Sequence, residues 1–75
     1  MQEFQLKTKN SIYEVQIHSA GVRMRRAAKA DGTPVAATDI LSHWIEGDRL
    51  EIADRGIMLF LQSVLLCRTS PLVTE

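Results

Sequence analysis

Few side chains in this sequence carry reactive chemistry. The 75 residues include two histidines, His18 and His43, and one cysteine, Cys67. His18 and Cys67 with an acid would be the parts of a thiol nucleophile, or part of a zinc site. Their spacing does not support either: there is no paired-cysteine motif and no His-x-x-x-His. A cysteine in an apolar strand reads as a small core residue, and His43 reads as a surface residue. The acids Asp39, Glu46, Asp48, Glu51 and Asp54 lack the calcium-loop spacing with its required glycine and terminal glutamate. No Gly-rich phosphate loop, nucleophile elbow or P-loop lysine occurs. The expectation is no catalytic residue, no metal, no cofactor and no enzymatic activity. An enzyme or ligand-binding subunit with sites between chains is the third reading.

Charge offers a second kind of chemistry. Nine Lys and Arg balance nine Asp and Glu, which excludes a globally basic nucleic-acid coat and an acidic disordered tail. The balance hides a polarity: residues 1–30 carry a net +4 and residues 31–75 a net −4. Within the first part, Arg23, Arg25, Arg26 and Lys29 form a cluster that could grip phosphates or an acidic partner. Single-strand binding also wants exposed aromatics among the cations. Of four aromatics, Phe4 and Tyr13 read as inward-facing and Phe60 lies in an apolar strand, leaving Trp44. A solvated charged face is the commonest meaning of such a run, so nucleic acid ranks second.

Ile57-Met58-Leu59-Phe60-Leu61 is apolar without alternating. A strand apolar on both sides has to be covered on both sides, and so short a chain has little material for that. The cover is either a barrel core or a second copy, which marks Trp44, Met58 and Phe60 as a candidate association surface. The leading reading is a small non-enzymatic binding or regulatory module acting through protein contacts as a homo-oligomer, with a dimer expected.

The elements that position these residues are mostly strands. Residues 3–18 alternate, with Phe4, Leu6, Tyr13, Val15 and Ile17 on one face and Glu3, Gln5, Glu14, Gln16 and His18 on the other. A two-residue loop at Lys9-Asn10 sets Leu6 opposite Tyr13 and Phe4 opposite Val15, so a hairpin is predicted. Val22 and Met24 continue the pattern in a third strand, with a helix over 21–30 as the rival. At Arg26 the strand has to bulge or end, because alternation would aim a guanidinium inward. Asp31-Gly32 is a turn that leads to an edge arm over 33–37 containing Pro34. Thr38 can cap a short helix over about 39–46, on which Ile40, Leu41, Trp44 and Ile45 share a face, and Gly47 supplies the stop. Arg49–Ala53 alternates with Leu50 and Ile52 inward. Residues 57–67 form one long or two short apolar strands, and 69–75 are expected to be a loose tail.

The predicted fold is mainly β with one short helix, in a single domain over 1–75. The order from the Asp-Gly turn to the final apolar strands resembles small SH3-like or Sm-like barrels, a likeness carried by residues 31–67 without a diagnostic motif. It implies a small antiparallel sheet or a partly open barrel and a binding module. The lone cysteine argues against secretion, because secreted chains of this size usually need several bridges. The first ten residues lack signal-peptide order, and the apolar run falls well short of the roughly 20 residues a membrane helix needs. A cytoplasmic location is expected.

Overall fold

The computed structural model describes residues 1–73. Strand β1 (Gln2–Lys7) pairs with β2 (Ser11–His18), β2 with β3 (Gly21–Lys29), and β3 with β4 (Ile45–Gly47), giving a four-stranded antiparallel sheet. Strands β5 (Arg49–Ala53), β6 (Gly56–Leu61) and β7 (Val64–Arg68) form a second antiparallel sheet of three. The fold is mainly β, and the two sheets do not close into a barrel.

The first hairpin has the register its alternation requires, with Leu6 opposite Tyr13 and Phe4 opposite Val15. Thr8 closes the loop, its N–H donating to the Ser11 carbonyl at 2.8 Å. Residues 21–29 form strand rather than helix, and Met24 pairs with Val15. The bulge falls just past Arg26: Tyr13 faces Arg26, Ile12 faces Ala28, and Ala27 is the extra residue. Arg26 therefore does share the face of Tyr13.

Tyr13, Val15, Val22 and Met24 from the first sheet meet Ile57 and Leu59 from the second in one buried cluster. Each large side chain removed from water there contributes about 1.5–3 kcal/mol before entropy is counted. Two seams join the sheets. At one, the chain passes from β4 to β5 through Asp48, whose N–H donates to the Phe60 carbonyl at 2.8 Å. Glycine is needed at this seam. A Cβ on Gly47 would lie 2.5 Å from the Phe60 carbonyl oxygen, and one on Gly21 would lie 2.6 Å from that of Gly47. At the other seam, residues after β7 run along the end of β1: the Lys9 N–H donates to the Pro71 carbonyl and the Val73 N–H to that of Lys7.

Four expectations are corrected. The helix over about 39–46 is a single 3-10 turn, Ile40–Ser42, capped by Asp39 rather than Thr38. Two turns with four apolar residues cannot offset the cost of helix nucleation. Ile45–Gly47 gains ladder hydrogen bonds instead by pairing with Val22–Met24. The arm over 33–37 shrinks to one bridge, Ala28 with Pro34. Ile52 shares the inward face of its partner Ile57, but on the edge strand β5 it is left 47% exposed rather than buried. The tail is not loose over 69–73. Thr69 is buried, its Oγ1 accepts the Ile57 N–H at 2.9 Å, and Leu72 bridges Thr8. The loose-tail expectation for residues 74 and 75 lies outside the described residues.

Candidate functional site

The cation cluster is divided by the strand that carries it. Arg23 and Arg25 alternate with buried Met24 and so lie on the outer face of the first sheet. Arg23 Nε donates to Gln16 Oε1 at 2.6 Å, and Gln16 Nε2 in turn donates to Glu3. Arg25 pairs with Glu14 at 3.0 Å. Both guanidinium groups lie over Trp44, with Cζ 4.5 and 4.7 Å from the ring centroid. Trp44, in extended chain just before β4, is thus half-buried beneath two arginines.

Arg26 is turned to the other face by its place opposite Tyr13. Its Nη1 bonds Asp39 Oδ2 at 2.6 Å and its Nη2 bonds the Tyr13 hydroxyl at 3.1 Å. Asp39 also accepts the Leu41 N–H through Oδ1, at 2.9 Å. That backbone bond first, and then the Arg26 charge, hold its carboxyl below the usual carboxylate range. Asp39 therefore ties the 31–44 loop to β3. Lys29 is exposed at the end of β3. The structure brings Arg23 and Arg25 together and leaves Arg26 and Lys29 out of that pair.

The candidate association residues are also divided. Met58 and Phe60 alternate with buried Ile57 and Leu59, so they face outward from the second sheet, on the opposite side of the molecule from Trp44. Both are half-buried, and the Arg49 guanidinium lies 4.3 Å from the Phe60 ring centroid. The larger uncovered apolar surface lies beyond them, at the end of the β6–β7 hairpin. There Leu61 is 43%, Val64 61%, Leu65 46% and Leu66 40% exposed. Residues 61–66 contain no ionisable side chain. The turn at their centre, Gln62-Ser63, has two left-handed residues (φ 51° and 67°), and Asp48 Oδ2 accepts the Gln62 N–H at 2.9 Å. Sequence reasoning marked 57–67 as apolar but could not tell which members the core would leave out.

Beside this tip, where the β2–β3 turn meets the start of β5, is an open cleft of about 430 Å³. His18 lines it. His43 lies elsewhere, its Nε2 3.2 Å from the Ala37 carbonyl oxygen. Cys67 is half-buried opposite Leu59, and burial pushes its thiol above the ordinary value, partly offset by a backbone hydrogen bond with Leu59. Among the described residues, no three His, Cys, Asp or Glu side chains gather to hold a metal ion. No described helix is long and apolar enough to cross a membrane. No protein-family model, curated protein or solved structure matches the chain.

Proposed function

We propose that this protein is a small non-enzymatic binding module that acts through protein contacts and associates with a second copy of itself. The observation that carries this reading is the tip of the β6–β7 hairpin, where four aliphatic side chains in six residues are each at least 40% exposed. Clustered exposure of this kind marks interaction surfaces on soluble proteins. The choice of a second copy rests on charge. A two-fold contact sets a patch against itself, and a patch without ionisable groups brings no like charges together. The likeness to small barrels adds only a fold-level expectation of a binding role. The single cysteine fits a reducing cytoplasm as the place of work.

The alternative reading, nucleic-acid binding through Arg23, Arg25, Arg26 and Lys29, is the weaker one. Three of the four guanidinium and ammonium groups already have carboxylate, amide or aromatic partners, and gripping a phosphate would require exchanging them.

Light scattering after size exclusion, at low and high micromolar loading, tests the main reading. The expected result is a mass that rises towards twice that of one chain, and a Leu65→Ser, Leu66→Ser chain that stays monomeric. A parent chain that is monomeric at every concentration overturns it.

A further inference from the structure

A small cavity opens on the second sheet, at the opposite end of β6 from the aliphatic tip. Its lining is Arg55, Gly56, Met58 and Arg68. The register puts these residues together. Met58 is paired with Arg68 across β6 and β7, and directly opposed residues of an antiparallel pair share a face. Arg68 therefore stands beside Met58 on the side away from the core. Ala53 pairs with Gly56, so Asp54-Arg55 is a two-residue turn that brings Arg55 to the rim. Gly56 is buried with φ 134°, and a Cβ there would lie 2.6 Å from the Thr69 carbonyl oxygen. The turn can approach the end of β7 this closely only with glycine at that position.

Arg55 and Arg68 are also the arginines without a partner. Of the six in the chain, Arg23 and Arg25 lie over Trp44 and bond Gln16 and Glu14. Arg26 bonds Asp39 and Tyr13, and Arg49 lies over Phe60 and pairs with Glu51. Among the described residues, the side chains of Arg55 and Arg68 make no ion pair, hydrogen bond or ring contact. Two acids are near. Glu51 faces Met58 from β5 and is paired with Arg49 at 3.8 Å, and Asp54 precedes Arg55 in the turn. Neither comes within ion-pair distance of the two free guanidinium groups.

Charge and size select the ligand. A guanidinium presents forked N–H donors that match the oxygens of a phosphate or a carboxylate. Two of them are balanced by a phosphate monoester, at about −1.5 to −2, whereas one carboxylate leaves half their charge uncompensated. The cavity volume of about 120 Å³ equals that of about four waters. Sites that enclose whole drug-sized ligands run to roughly 300–1,000 Å³, so only a small group enters, with any remainder of the ligand outside.

We infer that Arg55 and Arg68 form a binding site for a phosphate group, with Met58 beneath it. The inference does not rest on self-association, since these residues lie away from the tip.

Proton–nitrogen correlation spectra that resolve the arginine Nε–H signals of the full chain test it. Inorganic phosphate, phosphoserine and acetate are titrated separately at neutral pH, with ionic strength held constant by sodium chloride. Saturable shifts of the Arg55 and Arg68 Nε–H signals and the Gly56 amide are expected with phosphate and phosphoserine, and acetate should bind at least tenfold more weakly. Arg55→Gln and Arg68→Gln, both at exposed positions and checked for fold by circular dichroism, should each weaken phosphate binding at least tenfold. Lys7→Gln, which removes the same charge elsewhere, should not. Tighter binding of phosphoserine than of inorganic phosphate supports the site as a reader of esterified phosphate, and the reverse order supports it as a site for the free ion. Equal affinity for acetate, shifts that grow linearly at all six arginines, or shifts centred on Arg23 and Arg25 overturn the inference. The titration of the parent chain decides by itself where a variant fails to fold.

Discussion

Replacing Gln62-Ser63 by Asn-Gly should make the protein more stable, although it removes side chains and adds no contact. Both residues have positive φ, 51° and 67°, as a two-residue turn matched to the twist of a hairpin requires. The left-handed region costs an ordinary L-residue about 1–2 kcal/mol. Glycine avoids that cost, though its unfolded chain has more freedom to lose, worth about 0.5–1 kcal/mol. Ser63→Gly should therefore stabilise by about 0.5–1 kcal/mol, and Gln62→Asn by a few tenths more, since asparagine tolerates this region better than glutamine. The turn's tie to Asp48 runs through the backbone N–H of residue 62 and survives both changes. For a domain of this size the pair should raise the melting temperature by about 4–8 °C. Thermal melts by circular dichroism, checked by urea titration with an unchanged slope, would measure it. An unchanged or lower melting temperature would refute the left-handed turn, and with it the position assigned to the exposed tip.

Leu59→Ala empties a fully buried site that joins the two sheets, and should cost about 2–5 kcal/mol in urea denaturation. Asp39 has a depressed carboxyl pKa in the folded state, owing first to the Leu41 N–H and then to Arg26. Its contribution is therefore present above the unfolded carboxylate pKa of about 3.9 and is lost as pH falls through the lower folded value. Asp39→Asn should flatten part of the acid limb when urea midpoints are compared at neutral and low pH. Cys67, half-buried and with its thiol pKa raised by that burial, should alkylate about tenfold or more slowly in the folded protein than in urea. Fluorescence anisotropy with single-stranded oligonucleotides at low salt should show no binding; salt-sensitive binding lost in an Arg23→Ala, Arg25→Ala chain would establish the alternative reading.

Where the fold was legible in the sequence, the signal was local. The first hairpin was readable because alternation resumes after Lys9-Asn10, and its register puts Phe4, Leu6, Tyr13, Val15 and Ile17 on one face, with Ile12 on the other. The irregularity near Arg26 was readable because a cation interrupts the inward positions. Its resolution was not, since it depends on Asp39, thirteen residues away, arriving to meet the guanidinium. The supposed helix misled because Ile40, Leu41, Trp44 and Ile45 suit helical spacing equally well when Trp44 lies beneath two arginines and Ile45 joins β4. The tail looked free because its anchor, the Thr69 hydroxyl on the Ile57 N–H, leaves no local trace. The turn at Gln62-Ser63 was hidden for a chemical reason: neither residue is the Gly or Asn that such turns favour. The candidate site was half-readable. Excess apolar residues near the carboxyl end were evident, whereas their emergence at the tip beside a cleft required both sheets to be in place.

The central claim is that the aliphatic tip is covered by another copy of the chain. An isotope-filtered NOE experiment on an equal mixture of labelled and unlabelled protein tests it most directly. Intermolecular NOEs from the methyl groups of Leu61, Val64, Leu65 and Leu66, growing with concentration, are the predicted result. A spectrum in which these methyls show intramolecular NOEs alone at the highest concentration would contradict it.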